Sequence, residues 1–181
     1  MKGAAAKNTI RQKYLLLETH CLQLMETVAG LTEVEFNKPH NPGKWSTGQI
    51  LVHINHVFER SMGYINKKMQ EPDKIPDAGL ITGAKSTLLN LVLKSKLKFK
   101  APKGVDVVPE HVDFETVRLR LLQNLKAVKD LTEQFPEKYY HKAIFKHPAV
   151  GRITLQQTVT FLDAHFLHHE QQIRLFLHNR Q

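Results

Sequence analysis

The chain has 181 residues, 41 % of them hydrophobic and 24 % charged; that length and balance suit one globular domain with a sizeable core and exclude a disordered or fibrous chain. A single cysteine, Cys21, rules out an intrachain disulfide and a thiolate-based metal cluster. The formal net charge is +9, and the absence of any acid between Asp77 and Asp106 concentrates part of it on Lys85, Lys94, Lys96, Lys98, Lys100 and Lys103.

Taken in chain order, the sequence predicts four long helices. The first covers about residues 8 to 29, where Ile10, Tyr14, Leu17, Cys21, Leu24, Met25 and Val28 recur at the three-four spacing of one helix face. Cys21 therefore reads as a buried thiol. Gly30 ends the helix, and a polar loop with Pro39, Asn41, Pro42 and Gly43 follows.

Ser46-Thr47-Gly48-Gln49 has the form of a capping box, so the second helix opens at Ser46 and runs to about Gln70. A loop with Pro72, Pro76 and Gly79 comes next. Residues 81–96 read as a short extra helix, and Pro102, Gly104 and Pro109 break the chain again. The third long helix begins near Asp113 and ends before Pro136, with Val117, Leu121, Leu125, Val128 and Leu131 as its stripe. A connection with Pro148 and Gly151 leads to a second capping box at Thr154-Leu155-Gln156-Gln157. The last helix then runs to about Asn179.

Four amphipathic helices, with no alternating pattern long enough for a sheet, predict an all-α four-helix bundle. Roughly 40 residues separate the second helix from the third, far beyond the ~2 to 8 of an antiparallel turn. A crossover of that length lets those two helices run parallel, in up-down-down-up order.

The last helix carries FLDAHFLHHEQQI, with three histidines in an apolar pattern. At about 100° per residue, His165 and His169 share the margin of the core face, whereas His168 points to the wet side. The i, i+4 spacing stacks the two rings about 5 to 6 Å apart at Cβ. Both can then reach one ion at about 2.0 to 2.1 Å. Two ligands seldom suffice. The second helix offers His53 on the margin of its own apolar face, with His56 just outside it. The candidate metal ligands are therefore His53, His165 and His169. Gln172, one turn beyond His169, together with His168 and His56, are candidates to touch a substrate or a ligand ring. His20, His40, His111, His141, His147 and His178 show no ligand spacing. Asp163 and Glu170 are assigned to the polar side of the last helix. Neither histidine-bearing helix carries Glu-x-x-His at the candidate ligands, so a di-iron bundle is excluded. The absence of His-Glu-x-x-His disfavours a zincin protease.

Two segments resemble the DinB-like superfamily, also called DinB/YfiT-like proteins. One is Gly43-Lys44-Trp45-Ser46-Thr47-Gly48-Gln49-Ile50-Leu51-Val52-His53. The other is His147-Pro148-Ala149-Val150-Gly151-Arg152-Ile153-Thr154 followed by His165-Phe166-Leu167-His168-His169-Glu170-Gln171-Gln172-Ile173. The resemblance implies an up-down-down-up bundle spanning 1–181, a divalent metal on His53, His165 and His169, and homodimers. Zinc is the ion expected, with nickel, iron or manganese as alternatives. It also implies a small-molecule substrate handled by hydrolysis or by transfer of a low-molecular-weight thiol such as bacillithiol or mycothiol. The basic segment 85–103 lies outside these motifs. It offers a rival reading as a non-enzymatic module for DNA or another polyanion. With no apolar run of the ~18 to 20 residues that a membrane span needs and no signal-like start, a cytoplasmic protein is expected.

Overall fold

The computed structural model describes residues 2–79 and 106–179. The short extra helix expected at 81–96 and the lysine-rich segment 85–103 lie outside the described residues. Five α-helices are present among the described residues: α1 (Lys2–Ala29), α2 (Glu33–Asn37), α3 (Thr47–Lys68), α4 (Phe114–Gln134) and α5 (Leu155–His178). A two-stranded antiparallel hairpin, β1 (Phe145–His147) and β2 (Gly151–Ile153), precedes α5.

The long helices begin where the capping chemistry places them. Ser46 and Thr154 each accept a hydrogen bond from the backbone three residues on, and Gln49 and Gln157 reciprocate. Asp113 caps α4 through the Thr116 N–H. Each cap contributes about 1 kcal/mol and fixes the phase at which its helix presents side chains.

Three features depart from the sequence reading. Helix α1 starts at Lys2 rather than near residue 8, because the alanine-rich opening propagates helix without an amphipathic stripe. Helix α2 is unforeseen, although Thr32-Glu33-Val34-Glu35 forms a complete capping box. The hairpin is unforeseen because three residues per strand carry too little alternation to detect. Gly151 stands at φ +77°, which a side chain would oppose, and lets the chain turn back into β2.

Cross-helix contacts fix the directions. Near the start of α3, Gly48 sits against Val112, just before α4 begins. Further along, Arg120 grips Glu59 at 2.7 and 2.8 Å. Helices α3 and α4 thus run parallel. Glu137, beyond the end of α4, reaches Gly3 in α1, so those two are antiparallel. His53 meets His165 and His169, whereas Tyr64 meets the Phe145 strand that precedes α5, so α3 and α5 are antiparallel. This is the up-down-down-up bundle. Helix α1 packs on α4 and α5, and α3 packs on the same two from the opposite corner.

One continuous hydrophobic cluster fills the centre, including Leu17, Cys21, Ile54, Phe58, Leu121, Val128, Leu162 and Phe166, all essentially inaccessible to solvent. Cys21 is buried, as its place on the stripe implies. A buried polar pair crosses α3 and α4: Asn124 donates to Asn55 Oδ1 at 2.8 Å, and Asn55 donates to the Val117 carbonyl at 3.1 Å. Apolar side chains would tolerate several registers of two parallel helices, whereas this pair is satisfied in only one. Gly48 has no room for a Cβ, since the Phe36 ring and Val112 stand 2.8 Å from where it would be. That close approach lets α2 seal the end of the bundle beside the start of α3. No described helix is long and apolar enough to cross a membrane.

Candidate metal centre

Two turns into α3, His53 is directed at α5. Its burial follows from the apolar face set by Ile50, Ile54 and Phe58, and only 3 % of its surface remains exposed. His165 and His169 rise from α5 on the face opposite. The structure brings the three together: one ring nitrogen from each lies within 4.8 Å of the others. Ring centroids are 5.3 Å apart for His53 and His165, 4.9 Å for His53 and His169, and 4.7 Å for His165 and His169. Nitrogens holding one ion at about 2.0 to 2.1 Å lie about 3 to 3.5 Å apart, so modest side-chain rotations would close this set around a cation.

The donor atoms suit such an ion. His165 Nε2 is fully covered and has no hydrogen-bond partner, an expensive state for a buried polar atom. A cation between the three rings would relieve it. Burial pushes the His165 imidazole well below its ordinary range, and the neighbouring His169, His53, His168 and His147 rings push it further. Burial first, then His53 and His168, lowers His169 to about 3, against a small opposing effect of its hydrogen bond to Gln172. Both rings are therefore neutral at physiological pH, the state in which imidazole ligates. No described carboxylate counters this: Asp163 is bonded to His20 at 2.7 Å and Glu170 to Arg174 at 2.7 Å. Glu170 is buried rather than on the polar side of α5, because its methylenes turn into the helix packing while its oxygens hold Arg174.

Gln172 completes a short relay. Its Oε1 lies 3.2 Å from His169 Nδ1 and its Nε2 lies 2.9 Å from His168 Nε2. The amide oxygen accepts the Nδ1 proton of His169, leaving the His169 Nε2 lone pair for the centre. His168 thus supports the relay and does not enter the cluster. His56 is also outside it, half-buried with a covered, unpartnered Nδ1.

Aromatic rings wall the centre. Trp45 stands 5.1 Å from His53, and Phe161 5.7 Å from His165. Phe161 continues to Phe145 at 6.0 Å, and Phe145 to Tyr64 at 5.6 Å, so the hairpin closes over the groove between α3 and α5. Two histidines that sequence spacing passed over also stand here. His147, at the end of β1, is buried edge-on against Phe161 at 4.5 Å. His40 stacks on Phe176, two turns past His169, at 4.0 Å and shares a hydrogen bond with Thr47. Burial lowers each to about 4. Neither sits at a helical i, i+4 offset from another histidine; for His147 the available signal was its adjacency to the Pro148–Gly151 turn.

Comparison with known proteins supports the architecture. A search of curated proteins gives no match. Among solved structures, YfiT from Bacillus subtilis superposes with a TM-score of 0.59 over 94 % of this chain and 87 % of its own, at 15 % identity. That protein is described as a probable metal-dependent hydrolase with an unusual four-helix bundle topology. At this identity the likeness speaks for the fold. The family model of the DinB superfamily matches residues 16–173, a span that takes in all three clustered histidines, the second half of α1, all of α3 and α4 and most of α5, and by that match the chain belongs to the DinB superfamily.

Proposed function

We propose that His53, His165 and His169 bind one divalent cation, zinc in the first instance, and that the centre activates a small thiol for transfer. The observation that carries this reading is the convergence of three imidazoles from two distant helices, one of them with a buried nitrogen that no described protein group satisfies. Three neutral ligands leave the charge of the cation uncancelled, so the centre favours an anion in its remaining positions. A divalent ion so held lowers the pKa of a coordinated thiol or water, making thiolate or hydroxide available near neutral pH.

The chain's own residues supply the rest. Gln172 sets the His169 tautomer. Trp45 and Phe161 exclude water and present apolar surface to the body of a ligand. Hydrolysis would call for a base to relay protons to and from attacking water, and no described carboxylate stands free beside the cluster. A thiol that ionises on binding needs no such group, and this favours thiol transfer. Hydrolysis is the second reading, supported by the description of YfiT.

The test is elemental analysis of protein purified without a histidine tag, followed by visible spectra of the cobalt-loaded protein with 2-mercaptoethanol and generic esters. One ion per chain, lost in His53→Ala and His165→Ala, and a sulfur-to-cobalt absorption band are expected. Wild-type protein that stays metal-free after reconstitution would sink the proposal. A cobalt protein that cleaves esters but shows no sulfur band would favour the hydrolytic reading.

The homodimer implied by the resemblance has a candidate surface on the outer α1–α5 wall, where Leu16, Leu167 and Leu175 are exposed. Sedimentation of wild type against Leu16→Glu/Leu167→Glu tests it. A dimer that dissociates in the variant supports the assignment, and a monomeric wild type ends it.

A further inference from the structure

Resting on the metal-centre reading above, we propose that His147 is a ligand-binding residue: its Nε2–H is a fixed hydrogen-bond donor for an anion carried by the three-histidine centre. His147 is not one of the clustered nitrogens, and its role follows from what its other nitrogen does. Nδ1 lies 3.1 Å from the Ala149 N–H and 3.3 Å from the Val150 N–H, and it accepts from both. A nitrogen that accepts two backbone hydrogen bonds cannot carry the ring proton. The imidazole is thus locked with its N–H on Nε2, on the edge of the ring away from the turn.

Placement gives that donor its use. His147 ends β1, in the hairpin that covers the groove between α3 and α5. Its ring meets Phe161 edge-on at 4.5 Å, and Phe161 stands 5.7 Å from His165. His147 and His165 therefore border the same Phe161 ring, and His147 lies near enough to depress the His165 imidazole. Only 8 % of the residue is exposed, and no described group accepts from Nε2, which is left reachable by a ligand. The centre, for its part, holds an uncompensated dication that draws in anions, and no described lysine or arginine takes part in its ring cluster. A ligand with a second acceptor atom beside the metal-bound one, as in a carboxylate, can satisfy the cation and His147 together.

The turn itself offers the opposing explanation, namely that His147 only braces the hairpin. The substitution His147→Asn separates the two. The asparagine Oδ1 can take the place of Nδ1 as acceptor for the turn, and nothing replaces Nε2–H. Cobalt-loaded wild type and H147N are titrated with acetate and followed by the visible cobalt spectrum. H147N should keep wild-type cobalt affinity and thermal midpoint and bind acetate about tenfold more weakly, the usual scale for losing a hydrogen bond to a charged acceptor. Unchanged acetate affinity in H147N overturns the inference and leaves the metal centre standing. Failure of the wild type to take up cobalt overturns both. A measurement without mutation runs in parallel, in case H147N does not fold: in long-range proton–nitrogen spectra of the zinc-loaded wild type, acetate should shift the His147 Nε2 resonance downfield. A resonance that does not move refutes the assignment.

Discussion

Replacing Gln172 by leucine removes the acceptor that holds the His169 Nδ1 proton, without touching any of the three clustered nitrogens. The contact is 3.2 Å long and Gln172 is exposed, so its net worth lies near the middle of the range for a neutral hydrogen bond, about 1 kcal/mol. Without it, His169 divides between two tautomers, only one of which turns a lone pair to the centre. Metal affinity should fall about fivefold, somewhat less than the ~10- to 100-fold seen when a partner of a ligating histidine is lost. Competition against a chromophoric chelator measures this directly. Gln172→Glu should move the other way, because a carboxylate accepts the same proton more strongly and raises the basicity of the ring. The opposed signs discriminate: a structural effect of altering the helix surface would weaken both variants. Equal affinities in wild type, Q172L and Q172E would refute the relay.

Further outcomes follow from the same geometry. His165→Leu should abolish metal binding and leave the metal-free protein at least as stable as wild type, by up to about 1 kcal/mol, because it deletes a covered nitrogen with no partner; a thermal midpoint lowered by several degrees would contradict this. His169 and His147 are neutral in the fold, at about 3 and about 4, and titrate near 6.5 when unfolded, so below that value the unfolded chain takes up protons first. Stability of the metal-free protein is thus complete above about pH 6.5 and declines toward about pH 3, at up to about 1.4 kcal/mol per pH unit for each ring. The decline should be shallower in His169→Leu, and identical profiles would refute the assignment. Asn55→Leu should cost about 2 kcal/mol in urea unfolding by stranding the Asn124 amide in the core, and Asn55→Leu/Asn124→Leu should recover most of it. A double variant weaker than either single one would show that the pair does more than satisfy itself.

The sequence disclosed the long helices because each carries its own stripe and its own cap. Ser46, Asp113 and Thr154 are short-range signals, readable without knowing what the helix packs against. The approach of His53 to the pair on α5 was legible for a related reason: helical phase tells which residues share a core-facing margin, and two such margins must meet somewhere in a bundle. His147 was not legible. Its place depends on a turn that folds its own side chain back onto two backbone N–H groups, and on a hairpin too short to show a period. Glu170 was misassigned to the polar side because angle alone ignores Arg174, whose pairing lets a carboxylate stay buried beside α1. Helix α2 could have been read from Thr32 and Glu35, but five residues carry no stripe to draw attention.

The long connection between α3 and α4 separates the two halves of the cluster along the chain. His53 is made before α4, and the two imidazoles facing it emerge only after that helix, on α5. A nascent chain holding only the first of them has nothing to clasp an ion with. A chain cut before α5 keeps one ring of the three, so the proposed centre cannot assemble in it.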